Sequence, residues 1–152
     1  MHLVPCPVWE IVEDCKTLEG FCNKMVPKFS FHSKIPPEIE KRLKTIQELI
    51  IHSYYVYEFI DVAYLVTFQT LEFALAIKFQ THNPNNESKM TLYPYLEWAI
   101  SKKIITLTHA EKDTLTYFRN RISHLKQDSI SGLVALNPIR VVGNLICNIF
   151  LK

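Results

Sequence analysis

The sequence predicts an all-α protein, an up-and-down bundle of four to five helices with an irregular arm at its N-terminus. Three observations lead there. Glycine is scarce, with 3 residues in 152, which disfavours turn-rich β architectures and suits long helices. Apolar side chains recur at three- and four-residue steps over several long stretches, the period of one helix face. The segments between those stretches are mostly short, and short connections set successive helices antiparallel. With 48% apolar residues in a chain of this length, there is enough material for one core.

The arm is residues 1–35. Its periodicity is weak, Pro5, Pro7 and Pro27 punctuate it, and one short helix is expected over 8–22. Pro36 and Pro37 followed by Glu38 make a good helix start, with proline at the front and acid in the first turn. From there Ile39, Leu43, Ile46, Leu49 and Ile50 keep helical spacing, which predicts a first long helix to about residue 52. A second is expected over 54–79, either continuous with the first or broken near His52-Ser53. Its inward candidates are Phe59, Val62, Ala63, Val66, Leu71, Ala74, Leu75 and Phe79. Residues 81–88 are dense in turn formers and read as a loop. A third helix over 92–103 carries Leu96, Ala99 and Ile100. Thr108 with Glu111 three residues on forms a capping box, opening a fourth helix through about residue 124. Gly132 lies in a connection, and Asn137-Pro138 opens a last helix ending near Phe150. The expected organisation is therefore an arm, 1–35, and a helical domain, 36–152.

Composition narrows the function classes. Lysine and arginine total 17 against 15 acids, so a basic coat for nucleic acid is absent and any polyanion site must be local. The opening residues have neither the positive leader nor the apolar run of a signal peptide. The longest apolar stretch, 54–79, is interrupted by Glu58, Asp61, Glu72 and Lys78, which argues against a membrane span. A cytoplasmic protein with no membrane partner is expected. Cys6, Cys15, Cys22 and Cys147 contain no CxxC pair and no zinc-finger spacing to histidine. They read as reduced, partly buried thiols. His52, His82 and His109 share no metal-ligand spacing, so neither a metal nor another cofactor is expected.

The one segment with specific chemistry is Arg119-Asn120-Arg121-Ile122-Ser123-His124. On a helical wheel Leu115, Phe118, Ile122 and Leu125 share a core-facing side. Moving round from it, Arg119, Ser123, Asn120 and His124 form one polar arc. Arg119 and His124 flank that arc about 140° apart, so a second surface must cover it before both can touch one phosphate. Two copies meeting about a two-fold axis achieve this. Histidine trades protons near neutral pH, and arginine grips phosphate oxygens in a forked geometry. RNA cleavage through its own 2′-hydroxyl needs a base, an acid and a cation at phosphorus. His124 and Arg119 can supply these without a metal, with Asn120 orienting the phosphate or the imidazole.

Arg119-Asn120-x-x-x-His124 followed by a final helix resembles the signature of the HEPN domain superfamily. The helices around residues 71–75, 92–103 and 107–118 fit it as well, so the resemblance covers about 36–152. It implies a dimeric helical bundle whose active members are metal-independent endoribonucleases. They leave 2′,3′-cyclic phosphate and 5′-hydroxyl ends, and many serve in toxin–antitoxin or anti-phage systems. By that resemblance Arg119 and His124 are catalytic, Asn120 is the polar residue after the family's arginine, the substrate is RNA, and an antitoxin or defence partner is expected. Some relatives are non-catalytic, so an adaptor or dimerisation module is the alternative. Around the arc, Lys102, Lys103, Arg121 and Lys126 are candidates for an RNA-guiding rim; lysines at helix ends also serve the helix dipole. Glu58, Asp61 and Glu72 are either orienting partners for His124 or Arg119 or ordinary ion-paired acids. Tyr54, Tyr55, Tyr57, Tyr93, Tyr95 and Tyr117 can stack on bases, but such tyrosines more often lie at the edge of a core.

Overall fold

A computed structural model describes residues 3–86, 88–123 and 133–152. Every regular element among the described residues is helical: a short 3-10 helix Pro7–Ile11, then α1 Leu18–Met25, α2 Pro37–His52, α3 Phe59–His82, α4 Leu92–Ser101, α5 His109–Ser123 and α6 Leu133–Ile149. The all-α class is thus observed.

Helix α3 is the centre. Its buried residues, from Ile60 and Ala63 through Tyr64, Phe68 and Leu71 to Phe79, lie around most of its circumference, as expected of a helix covered on several sides. Spacing alone therefore does not identify its outer face. Val62, read as inward, is 42% exposed, while Ile60, Tyr64 and Phe68 are buried. Two buried hydroxyls on α3 are satisfied within the helix, Thr67 donating to the Ala63 carbonyl and Thr70 to that of Val66, each at 2.7 Å. By length and composition α3 is apolar enough to cross a membrane, with half of the qualifying window buried inside the protein. Here its apolar surface packs mainly against α2 and α6, with α4 and α5 as further neighbours.

Residues 3–35 contribute to the same core. Trp9, Cys15, Phe21, Met25, Phe29 and Ile35 are all buried. The expected single helix over 8–22 is two pieces, because the chain turns extended at Val12, which ends the first, and left-handed at Asp14, φ 64°, before the second. Thr17 then caps α1, its hydroxyl oxygen accepting from the Gly20 N–H at 3.1 Å. A Cβ at position 20 would lie 2.1 Å from the Asp14 carbonyl oxygen, so only glycine lets the two turns close on each other.

The N-terminal segment also ends α2. Trp9 Nε1 donates to the Ser53 carbonyl at 3.0 Å, and the Cys6 N–H donates to the Tyr54 carbonyl at 2.8 Å. Those two carbonyls are the ones a continuing helix would need. Helix α3 consequently starts at Phe59, five residues later than spacing predicts.

The last helix departs from expectation in the other direction. It begins at Leu133, with Pro138 inside it. Ala135 and Leu136 are buried, so the turn before the proline packs into the core. The missing proline N–H deprives only the Val134 carbonyl, on a residue 69% exposed, where water can replace it.

Further along α6, Gly143 lets the Phe29 ring lie against the helix backbone, and a Cβ there would sit 2.1 Å from Phe29 Cε1. Gly143→Ala is expected to destabilise the fold by about 1–2 kcal/mol. Overpacking of about 1–3 kcal/mol outweighs the roughly 1 kcal/mol that alanine adds in helix propensity. A denaturant titration that shows the variant to be more stable than wild type would refute this packing.

Candidate functional site

Helix α5 carries Arg119 and Asn120, and its start is fixed as the sequence predicts. The Glu111 N–H donates to the Thr108 hydroxyl oxygen at 3.2 Å, while the Thr108 N–H and hydroxyl donate to Glu111 Oε2 at 2.7 and 2.8 Å. These bonds to the ionised form hold the Glu111 carboxyl below its usual value.

Two cations spaced seven residues apart then fasten α5 to its neighbours. Lys112 is 8% exposed; its ammonium lies 3.0 Å from Glu97 Oε1 and 4.2 Å from the centre of the Tyr93 ring, both on α4. Tyr93 first, and Glu97 second, hold the Lys112 ammonium above its usual value. Two turns on, Arg119 Nε donates to Glu72 Oε1 of α3 at 2.8 Å, with the two side chains 29% and 26% exposed. Arg119 Nη1 also donates to Asn120 Oδ1 at 3.3 Å, and Asn120 is exposed. The structure thus brings together Arg119, Asn120 and, from the three acids considered, Glu72. The Lys112 clamp was missed by sequence reasoning; the signal for it was the i, i+7 repeat with Arg119, which puts both on one side of the helix.

The other half of the motif, His124, lies outside the described residues, as do Leu125, Lys126 and Gly132, together with the side chains of Ile122 and Ser123. The remaining rim candidates do not gather at Arg119. Arg121 Nη1 donates to the Tyr117 hydroxyl at 2.8 Å, with the guanidinium over that ring, on a side of the helix about 160° from Arg119. Lys102 and Lys103 close α4 in a Schellman turn. The Ile104 N–H donates to the Ala99 carbonyl and the Lys103 N–H to that of Ile100, both at 2.9 Å, with Lys103 at φ 56°. That turn precedes α5, whereas Arg119 is ten residues after its first residue, about 15 Å along the axis.

Of the tyrosines considered as stacking surfaces, Tyr54 and Tyr95 are buried and Tyr117 is 56% exposed. Tyr64, not among them, lies under Phe118 with ring centres 6.3 Å apart. Its hydroxyl is buried without a hydrogen bond among the described residues, and burial pushes it well above the usual tyrosine value. Burial likewise raises the thiols of Cys15, Cys22 and Cys147, which makes them poor nucleophiles. Among the described residues no group of three or more His, Cys, Asp or Glu could hold a metal ion.

A groove of about 650 Å³ runs between α5 and α6, lined by Leu115, Phe118, Pro138, Val141 and Leu145 with Glu111 and three asparagines at its edges. Neither Arg119 nor Asn120 lines it, and its apolar walls suit packing better than phosphate recognition. Comparison of the chain with family models, with characterised proteins and with solved structures finds no match in any of the three.

Proposed function

We propose that the chain is a metal-independent endoribonuclease of the HEPN type, cutting RNA in a cleft completed by a second copy and serving as a toxin or anti-phage effector. The observation that carries this reading is the sequence Arg119-Asn120-x-x-x-His124, whose first two residues lie on α5, with the Arg119 guanidinium oriented by Glu72 and Asn120. The placement of α5 also supports it: a long apolar helix, α3, precedes it, and one final helix, α6, follows it.

In the reaction, a neutral His124 imidazole takes the 2′-hydroxyl proton, and the freed oxygen attacks the adjacent phosphorus. The bond from phosphorus to the 5′-oxygen breaks, and a protonated imidazole from the second copy returns a proton to that oxygen. The products are a 2′,3′-cyclic phosphate and a 5′-hydroxyl. Arg119 stabilises the charge that builds on the phosphate oxygens. Glu72 limits the rotation of a side chain that would otherwise have to be ordered when substrate binds.

One observation favours a second reading. Ion pairing of Arg119 with an acid is also what a non-catalytic adaptor would show, since the pair alone fastens α5 to α3. The two readings separate in a cleavage assay with single-stranded RNA in EDTA. The nuclease reading expects wild type to cut and a folded His124→Ala variant to lose about 10²–10⁴-fold, the usual contribution of a positioned acid or base. Equal activity in the two proteins, or activity abolished by the chelator, overturns it.

A further inference from the structure

Five lysines that the sequence scatters between positions 34 and 152 meet at one end of the bundle. Lys34 Nζ donates to the Leu151 carbonyl at 3.0 Å, Lys78 Nζ to the Lys152 carbonyl at 2.5 Å, and Lys152 Nζ to the Lys103 carbonyl at 2.7 Å, with Lys102 beside Lys103. Helices α3, α4 and α6 all terminate here, so part of the explanation is ordinary: cations complement the negative ends of helix dipoles.

That explanation does not cover the charge. A main-chain carbonyl accepts a hydrogen bond but cancels no positive charge, and each ammonium carries three donors. A free carboxylate on Lys152 would offset only one of the five. None of the five makes an ion pair with an Asp or Glu side chain among the described residues. The whole chain has a net charge of only +2. The five lysine side chains thus put +5 at one end of a chain whose other side chains sum to −3. Lys103 also occupies the left-handed position of the α4 Schellman turn, which usually goes to glycine.

We infer that this lysine pole is a docking surface for the phosphate backbone of single-stranded RNA. Helix α5 starts at His109, six residues after Lys103, and carries Arg119 about 15 Å further along its axis. A strand held at the pole can thus run along α5 to the motif. The phosphate recognition stands on the lysines; the choice of single-stranded RNA and the direction of the strand rest on the nuclease reading above. An anionic membrane fits less well, because interfacial anchors add exposed apolar side chains and the one joined to these lysines is Leu151, 49% exposed.

The test is fluorescence anisotropy of a labelled, uncleavable 2′-O-methyl oligonucleotide titrated with the full chain over a range of salt. Lys34→Gln, Lys78→Gln, Lys102→Gln and Lys103→Gln together should weaken binding at least tenfold at low salt. They should also flatten the plot of log K against log salt by about 0.7 for each phosphate that is no longer neutralised. Lys16→Gln, Lys28→Gln, Lys41→Gln and Lys89→Gln together remove the same charge elsewhere and should leave most of the binding intact. Unchanged binding in the first folded variant, an equal loss in both, or no RNA binding by wild type overturns the proposal. So does pole-dependent binding to vesicles of anionic lipid in place of RNA. If wild type cuts RNA and the first variant still binds it normally, the pole fails and the nuclease reading stands. If RNA binds through the pole and is never cut, the reverse holds.

Discussion

Arg119→Ala is expected to lower RNA cleavage about 10³-fold, the scale of removing a charge-stabilising donor from a transition state, and to cost about 2 kcal/mol of folding stability. The second effect follows from Glu72. Arg119 Nε and Glu72 Oε1 are 2.8 Å apart, and about a quarter of each side chain is exposed. Removing the guanidinium leaves a carboxylate that water reaches only in part, and hydrogen bonds to charged groups contribute roughly 1.5–3 kcal/mol. Glu72→Gln keeps the shape and an acceptor oxygen but not the charge. It should cost less stability, about 1 kcal/mol, and reduce cleavage by about tenfold, with the loss in kcat because the guanidinium is held less firmly. Urea unfolding of Arg119→Ala, Glu72→Ala and the double variant checks the pairing, since residues that touch give less than additive losses. Strict additivity would remove the ion pair from the account. Full cleavage by Arg119→Ala would instead leave the pair intact and end the nuclease reading.

Trp9→Ala is expected to destabilise the protein by about 3–5 kcal/mol, the range for an aromatic core truncation, which is a large share of the roughly 5–15 kcal/mol a domain commands. Trp9 is 1% exposed, packs edge-on against Phe21 with ring centres 4.7 Å apart, and donates from Nε1 to Ser53. Deleting residues 1–35 should go further and abolish cooperative thermal unfolding. The segment supplies Phe29 against Gly143, and His32 Nε2 lies 2.9 Å from the Cys147 carbonyl. Arg140 of α6 in turn donates to the Lys24 carbonyl at 2.6 Å. A truncated chain with a sharp melt near the wild-type midpoint would show that residues 36–152 fold alone and that these interactions are decorative.

The all-helical class, the start of α2 at Pro36-Pro37 and the capping box of α5 were legible in the sequence because each rests on interactions within a few residues. So was the placement of Arg119 and Asn120 on α5, for the same reason. The sites of failure share a different cause. Nothing near Ser53 says that its carbonyl is taken by Trp9, 44 residues earlier, and that distant donor ends α2. Pro138 looks like a start because a local rule sees the lost N–H and not the buried Ala135 and Leu136 before it. On α3 the apolar residues cover so much of the surface that no periodic signal separates inside from outside.

By itself the sequence determined the helical class, the approximate place of the long helices and which residue types share a turn, since backbone hydrogen bonds over four residues and side chains three or four apart are local quantities. Tertiary structure alone decided that Arg119 meets Glu72 across 47 positions, that the N-terminal segment belongs to the core, and that five scattered lysines form one pole. Those outcomes depend on how apolar faces are matched when the helices pack, and that matching involves the whole chain at once.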